Sequence, residues 1–340
     1  MPETGPSNLE RERAGSRALS IFARVLSARI LRAHEAGALT SRELEARMGW
    51  AAKASLRVAV GNLRALGALA QTSPTAVRRG VTTELTPAGR ELLSVADVLE
   101  HWLSASPFGP IPLPDTAARG VIRALVGGWD SAIVRTLAEG PRSLSELSSE
   151  IGEHTYAALK RRLSMLRSVN LVSPVTGNGR SPSHEATKWL RCAVGPLTAA
   201  GRWERRHAGS DTPPMTRHEI EAALLLALPL VELSDDLSGS CVLAAPANPG
   251  ASQEIEPVLA AVSLVVEDGR IETCESGADD TPRTWALGTP DAWLDAMIDG
   301  RCDELRLRGP DAELVEVVVA GLHEALFPAT QARAYASAGA

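Results

Sequence analysis

Aromatic residues are scarce in this sequence, at 4% of 340 residues. Long apolar runs are missing too, since the longest, from Ala222 to Val231, contains Pro229 and is about half of the ~20 residues that span a bilayer. Neither end of the chain resembles a targeting signal. These absences argue against a membrane protein and predict a cytoplasmic location, with frayed tails at residues 1–15 and 329–340.

Cysteine is sparse as well. Cys192, Cys241, Cys274 and Cys302 stand dozens of residues apart, which is neither a zinc-ligand spacing nor the dense framework of a small disulfide-rich domain. We expect reduced thiols, and a redox-sensing cysteine is the open alternative.

The sequence also lacks the motifs of common enzymes. It contains no glycine-rich nucleotide loop after a strand, no phosphate-binding loop and no His-Glu-x-x-His. The two histidines beyond residue 212, His218 and His323, are isolated. We therefore expect no enzyme activity, no cofactor and no metal.

Charge is distributed unevenly along the chain. Residues 1–212 hold 28 Lys and Arg against 19 Asp and Glu, whereas residues 213–340 hold 7 against 22. A polyanion such as DNA would therefore meet the first segment. An ordinary solvated surface is the alternative interpretation of both segments.

A repeat is visible when the sequence is shifted by 103 positions, which aligns residues 30–69 with 133–172 without a gap. The aligned pairs include Ile30 and Ile133, Gly37 and Gly140, Leu44 and Leu147, and Gly49 and Gly152. The matches fall where a core and its turns would need them. The chain therefore contains two copies of one unit.

Each copy has the pattern of a helix-turn-helix. Thr40 to Glu43 and Ser143 to Glu146 are capping boxes that predict a second helix after a first one ending at Gly37 or Gly140. The third helix has an apolar stripe at i, i+4 and i+7. These stripes are Leu56, Val60 and Leu63 in the first copy and Leu159, Leu163 and Leu166 in the second.

A β-hairpin and a closing helix are predicted after each third helix. The hairpin tips fall at residues 74–80 and 176–183, where Arg78, Arg79 and Arg180 would touch phosphates. The closing helices are expected to end at Trp102 and Trp203.

These motifs resemble the HxlR-type winged-helix regulators. The resemblance is carried by Gly128-Trp129, by residues 133–141, by "LSEL" at 144–147 and "LKRRLSML" at 159–166, and by "LTPAGREL" at 85–92. It covers about residues 17–207 and departs from the family at 186–193. The resemblance implies DNA-binding repressors or activators, typically dimeric.

The outer face of the third helix in the second copy is the more polar one, so we expect that copy to supply most of the base contacts. The first copy presents a mostly bland face. The residues expected to contact DNA are His154, Thr155, Lys160, Arg161, Arg162, Arg180, Ser55, Arg78 and Arg79. The alternative is that both copies serve protein assembly.

The acidic segment after residue 216 has an α/β pattern. A helix is expected from Thr216 to about Leu237, followed by strands at 240–244, 261–267, 270–275 and 283–287, with a two-residue hairpin at Asp268-Gly269. A helix at 290–298, a strand at 304–308 and a helix at 311–327 complete the pattern.

"VVEDGRIE" at 265–272 and "WALGTPDAWLDAMIDG" at 285–300 resemble the sterol carrier protein 2-like fold. That resemblance implies an apolar tunnel and a ligand sensor. The residues expected to line it are Trp285, Trp293, Leu224, Leu228 and Leu264.

The sequence thus predicts a mainly α fold with an α+β part: two winged helix-turn-helix units followed by an α/β, sterol carrier protein 2-like domain. The expected boundaries are tail 1–15, unit 16–104, proline-rich linker 105–118, unit 119–207, linker 208–216, domain 217–328 and tail 329–340. The expected function is ligand-responsive regulation in the nucleoid, with double-stranded DNA and a hydrophobic small molecule as partners and a homodimer left open. The alternative is a sequestering resistance protein that uses its winged helices for assembly.

Overall fold

A computed structural model describes residues 14–49, 51–72, 81–151, 155–175, 182–209, 214–246, 259–277 and 284–328. Over these residues the chain is a mixed α and β protein. Its buried apolar side chains form one continuous core that runs through all of the predicted domains, together with one small separate cluster. Within the described ranges, none of the helices has both the length and the apolar content needed to cross a membrane.

The first repeat follows a short helix, α1 (Ser16–Phe22), which packs against the second repeat. Its element order is helix, strand, two helices, two strands and helix. These elements are α2 (Val25–Ala33), β1 (Leu39–Thr40), α3 (Ser41–Arg47), α4 (Lys53–Ala65), β2 (Leu69–Thr72), β3 (Thr82–Leu85) and α5 (Pro87–Ser104).

The second repeat follows helix α6 (Thr116–Gly128), which starts inside the region expected to be a linker. Its elements have the same order, except that the closing helix is interrupted at Ala193. They are α7 (Ser131–Ala138), β4 (Arg142–Ser143), α8 (Leu144–Ile151), α9 (Tyr156–Ser168), β5 (Val172–Val175), β6 (Ser183–Ala186), α10 (Lys188–Cys192) and α11 (Val194–His207).

The two repeats also share their sheet topology and their register in the sequence. Each has a three-stranded antiparallel sheet, in the order β1-β3-β2 or β4-β6-β5. Helices α4 and α9 begin at residues 53 and 156, and strands β2 and β5 begin at 69 and 172, so both pairs keep the offset of 103.

Both predicted capping boxes are confirmed. The Glu43 amide donates to the Thr40 hydroxyl at 3.2 Å, and a Glu43 carboxylate oxygen accepts from the Thr40 amide at 2.7 Å. Ser143 and Glu146 make the same reciprocal pair at 3.2 and 2.6 Å. Each pair satisfies amides that have no partner within their own helix, which fixes where α3 and α8 begin.

The closing helices of the two repeats, α5 and α11, pack antiparallel to each other. Glu91 near the start of α5 contacts His207 at the end of α11, with 2.9 Å between the His207 Nε2 and Glu91 Oε2 atoms. At the other end, the Trp102 ring stacks on Trp189 of α10 with centroids 4.8 Å apart. The repeats therefore join through the helices that end them.

The C-terminal domain contains a five-stranded sheet in the order β11-β10-β7-β8-β9, in which β10 runs parallel to β7 and the other neighbours are antiparallel. Its elements are α12 (Arg217–Ala227), β7 (Gly239–Pro246), β8 (Leu259–Glu267), β9 (Arg270–Ser276), β10 (Trp285–Leu287), α13 (Pro290–Asp299), β11 (Arg306–Arg308) and α14 (Ala312–Leu326).

The helix expected to reach Leu237 is shorter than predicted. α12 ends at Ala227 and continues only as a 3-10 turn, Leu228–Leu230, because Pro229 has no amide hydrogen to donate to the Leu225 carbonyl. The Arg191 guanidinium of the second repeat donates to the Leu225 and Leu226 carbonyls at 3.3 and 3.4 Å instead. A contact between domains thus replaces the missing bonds within the helix.

The β8–β9 hairpin turns where the sequence predicted. Asp268 and Gly269 have φ angles of 48° and 71°, the left-handed values that a type I′ turn requires at both central positions. Glu267 pairs with Arg270 across the turn. The Asp-Gly prediction is therefore confirmed.

Candidate nucleic-acid interface

The third helix of each repeat turns one side to the core and the other to solvent. In α9 the predicted stripe of Leu159, Leu163 and Leu166 is buried. In α4 the buried side chains are Leu56, Ala59 and Leu63, and Val60 is only half-buried. This burial leaves an outer face on each helix that is available to a partner.

Basic residues occupy matching positions on the two outer faces. Arg57 and Arg64 of α4 correspond to Lys160 and Arg167 of α9 at the offset of 103, and all four are exposed. We call these residues the basic pairs. Members of one pair are seven residues apart, which places them on one helix face about 10 Å apart along the axis. Neither helix contains Asp or Glu, so all charged side chains of α4 and α9 are basic.

A surface groove lies beside the basic pair of α9. Its volume is about 340 Å³, and it runs between the end of α9 and strand β5. Its lining includes Ser164, Arg167, Ser168 and Asn170, which supply hydroxyl, guanidinium and amide groups. These are the groups that proteins use to hold phosphate oxygens.

The two outer faces differ between the members of their basic pairs. Where α9 has the exposed Arg161 and Ser164, α4 has Val58, which is 63% exposed, and Gly61. The predicted contact Ser55 is also exposed on α4. The face of α4 was predicted to be mostly bland, but its exposed Val58 is a branched side chain that can contact the methyl group of thymine.

The N-terminus of α9 adds two further side chains. Thr155 caps the helix, since its hydroxyl oxygen accepts from the Ala158 amide at 3.3 Å. Tyr156, the next residue, is 54% exposed. Tyr156 was not among the predicted contacts, because helical periodicity gives the direction of a side chain but not its solvent exposure.

Arg162 is a correction to the predicted contacts. Its guanidinium donates to Asp130 at 2.9 Å and to the Trp129 carbonyl at 3.4 Å, and its side chain is 17% exposed. Asp130 in turn caps α7 by accepting from the Ala132 amide. Arg162 therefore fixes α9 to the corner between α6 and α7 and does not face a phosphate.

Four of the predicted contacts lie outside the described residues. They are His154, Arg78, Arg79 and Arg180. Strands β2, β3, β5 and β6 flank both predicted hairpin tips.

Part of the positive charge in residues 1–212 is used inside the molecule. Arg202 and Arg205 of α11 contact Asp299 and Asp295 of α13 at 2.7 and 2.6 Å, and we call this row of ion pairs the charge seam. Arg135 of α7 likewise contacts the buried Glu221 of α12 at 3.2 Å. The bulk charge difference thus reflects domain docking as well as any polyanion surface, and the basic pairs are the more specific signal.

Four of the five residues expected to bind a hydrophobic ligand are buried in the continuous core, and Trp285 lies apart from them. Trp293 is fully buried, and its indole N–H donates to the Ala244 carbonyl at 3.0 Å. Leu224, Leu228 and Leu264 are buried in the same continuous core. Trp285 is only half-buried and packs against the small separate cluster of Val242, Ala244 and Ala261, which alternates with the core-facing residues of the sheet.

A small, partly open cavity lies between Ala14, α11 and α12. Trp129, Thr198 and Glu219 are among its lining residues, and its volume of about 10 Å³ is room for a single water molecule. Ligand pockets for small molecules usually measure about 300–1,000 Å³. This cavity therefore contributes to packing and does not hold the expected ligand.

The four cysteines are free thiols. Burial raises the pKa of Cys241 and of Cys274 to about 12 and that of Cys302 to about 11, and it also raises the pKa of Cys192. Because the thiolate is the reactive species, these side chains are held in their unreactive form.

No family model matches this chain, and no curated protein matches its sequence. The resemblances to HxlR-type regulators and to sterol carrier protein 2-like domains thus depend on the motifs themselves.

Proposed function

We propose that the protein is a DNA-binding transcriptional regulator of the winged helix-turn-helix class that senses a hydrophobic small molecule. The observation that carries this proposal is the conservation of the basic pairs, at matching positions on the exposed faces of α4 and α9, between the two repeats. Buried positions are expected to match after a duplication because both copies need a core. Matching exposed cations have no such requirement, so they favour a shared polyanionic partner.

The element order supports duplex DNA as that partner. In each repeat the third helix follows a capped second helix and a turn, and an antiparallel sheet lies beside it. Winged helix-turn-helix proteins use this arrangement to insert the third helix into the major groove. The basic pairs would neutralise backbone phosphates, while the side chains between them would meet base edges.

The sensing part of the proposal rests on how the C-terminal domain is docked. α12 packs against α7, and α13 packs against α11 through the charge seam. A ligand that shifts these helices would change the placement of the second repeat, which is a physical route from a binding event to DNA affinity. The half-buried Trp285, on the sheet face opposite the continuous core, is our candidate for contact with the ligand.

The DNA-binding proposal predicts how affinity depends on salt. We expect Lys160→Ala combined with Arg167→Ala to weaken binding to duplex fragments selected by the purified protein. The slope of log affinity against log salt should fall by about 2, because each lost phosphate contact releases one fewer counterion. Fluorescence anisotropy of labelled duplexes across a salt series measures both quantities.

The matched control is Arg306→Ala combined with Arg308→Ala, which changes net charge equally at two exposed arginines of the acidic domain. This variant should bind DNA as the unaltered protein does. Equal losses in both variants would mean that net charge alone governs binding. If the unaltered protein binds no duplex but does bind hydrophobic probes, the sequestering alternative is favoured.

A further inference from the structure

We propose that an approximate internal twofold axis relates the two repeats, and that one chain binds a single DNA site composed of two inverted half-sites with different sequences. This inference rests on the proposed function, because it specifies the DNA that the two outer faces would bind. It concerns the arrangement of the repeats, which the proposed function leaves open.

A symmetric pair of hydrogen bonds defines the axis. The Trp102 indole N–H of α5 donates to the Trp189 carbonyl at 2.9 Å, and the Trp203 indole N–H of α11 donates to the Ala88 carbonyl at 2.8 Å. In the closing segments, which follow the hairpins, the offset between equivalent residues is 101 and no longer 103. At this offset Trp102 is equivalent to Trp203, and Ala88 is equivalent to Trp189. Each closing helix thus bonds to the start of the other repeat's closing segment, as a twofold operation requires.

The same relation extends to the third helices because each repeat is locked internally in the same way. The Thr86 hydroxyl, at the start of α5, donates to the Gly67 and Ala68 carbonyls just after α4. The Thr187 hydroxyl, at the start of α10, donates to the equivalent Asn170 and Leu171 carbonyls just after α9, at 3.0 and 2.9 Å.

The turns after the third helices match as well. Gly67 and Asn170 both have left-handed φ angles, 73° and 59°. α4 is therefore held relative to α5 as α9 is held relative to α10, and the twofold that relates the closing segments also relates α4 to α9. Two recognition helices related by a twofold axis bind inverted half-sites.

The half-sites are expected to differ because the outer faces differ at equivalent positions. Val58 of α4 corresponds to Arg161 of α9, and Lys53 corresponds to Tyr156. An exposed valine can contact the thymine methyl group, whereas arginine pairs with the O6 and N7 atoms of guanine. The shared basic pairs would hold both helices on the backbone in the same way, so the difference lies in base preference.

A single chain supplies both halves of this arrangement. The contact between repeats buries Trp102 and Trp203 within one chain. It is reinforced by α1, whose Gly15 and Ala18 amides donate to the buried Glu204 carboxylate of α11 at 2.8 and 2.6 Å. α1 precedes the first repeat yet is capped by the second, so it ties the two repeats together.

The test begins with selection of binding sites from random duplexes by the full-length purified protein. Native mass spectrometry of the complex then counts chains per duplex, and hydroxyl-radical footprinting locates the protected backbone. The selection is repeated with Val58→Arg and with Arg161→Val, two substitutions at exposed positions, and with Arg306→Val in the acidic domain as the control.

We expect one chain per duplex and two protected segments centred about 10–10.5 base pairs apart, or a multiple of that spacing. Val58→Arg should change base preference in one half-site only, and Arg161→Val in the other only, each by about tenfold or more. Arg306→Val should leave both half-sites unchanged.

Two chains on a duplex with one protected segment per chain would overturn the inference while leaving the proposed function intact. So would two substitutions that change the same half-site, since α4 and α9 would then not read separate halves. Absence of any duplex binding by the unaltered protein would overturn the proposed function and this inference together.

Discussion

The two repeats have the same framework and different surfaces. Between them, the capping boxes, the threonine locks and the order of strands in the sheet are the same, and the third helices start at equivalent positions. Val58 and Arg161, by contrast, are exposed at equivalent positions, but valine is apolar and arginine is cationic. Core packing and caps have few geometric solutions, so divergence after a duplication collects on the exposed faces.

A second difference lies inside the repeat interface. Glu204 of α11 stands where the first repeat has Leu103, and both residues are buried. Leu103 packs in the core, whereas Glu204 accepts the amides at the start of α1. The buried side chain of α11 therefore accepts hydrogen bonds, whereas the equivalent side chain of α5 makes only apolar contacts.

The largest effect is expected where the repeats are alike. Leu63 and Leu166 are equivalent and are 1% and 0% exposed. Leu63→Ala and Leu166→Ala should each lower the free energy of unfolding by about 2–5 kcal/mol, because each leaves a cavity under a third helix. Urea unfolding followed by circular dichroism measures the loss.

Val58→Ala is the control for this pair, since Val58 is 63% exposed and its truncation should change stability by about 0.5 kcal/mol or less. A small loss at only one of the two leucines would show that the two frameworks are not packed alike.

A smaller effect is expected where the second repeat has an ion pair and the first has none. Arg162 corresponds to Ala59, and Asp130 corresponds to Ser27. Arg162→Ala should lower the free energy of unfolding by about 2 kcal/mol, since it removes charge-assisted hydrogen bonds and leaves the Asp130 carboxylate without that partner. Urea unfolding gives this value, and anisotropy gives DNA affinity.

Under conditions in which the Arg162→Ala variant is folded, its slope of log DNA affinity against log salt should equal that of the unaltered protein. Arg161→Ala is the matched neighbour and should show the reverse, with near-native stability and weaker DNA binding. A reduced salt slope in Arg162→Ala would contradict the structural role assigned to Arg162.

An effect of similar size concerns Glu204 and pH. Burial raises the pKa of the Glu204 carboxyl from its ordinary 4.5 to about 7, despite the amides that favour its charged form. The folded state therefore holds this proton more tightly than the unfolded state. The stabilisation from proton binding is present below about pH 4.5 and is lost as pH rises through 7.

Glu204→Gln should remove this part of the pH dependence. The stability of the unaltered protein relative to the variant should decrease by on the order of 2 kcal/mol between pH 5 and pH 8. Thermal unfolding of both proteins across that range measures the difference, and taking the difference cancels the titration of groups that the two proteins share. Parallel curves would show that Glu204 does not titrate in this window.

Much of the fold could be predicted because many of its features depend on residues that are close together in the sequence. The offset of 103, the capping boxes at Thr40 and Ser143 and the Asp268-Gly269 turn are short-range patterns that specify helix starts and a hairpin. The end of α12 was mispredicted because its apolar composition suggested a longer helix, whereas Pro229 stopped it. There the absent amide hydrogen outweighed composition.

The candidate site could be predicted only in part. The outward direction of Lys160 and Arg161 follows from helix periodicity, which can be read from the sequence without a structure. The role of Arg162 does not, because Asp130 is 32 positions away and reaches it only when α6, α7 and α9 pack together. The position of Trp285 does not follow from the sequence either, since alternation along the sheet separates it from the core that contains Trp293, Leu224, Leu228 and Leu264.

The sequence by itself determined the repeated units, their helix starts and the matching basic residues of α4 and α9, because these depend on neighbours within a few residues. Tertiary structure decided which arginines form ion pairs, how Glu204 holds α1, and that Trp102 and Trp203 each donate to a carbonyl in the other repeat's closing segment. These features join residues that are between 32 and 189 positions apart, and only the packed chain brings such residues within hydrogen-bond distance.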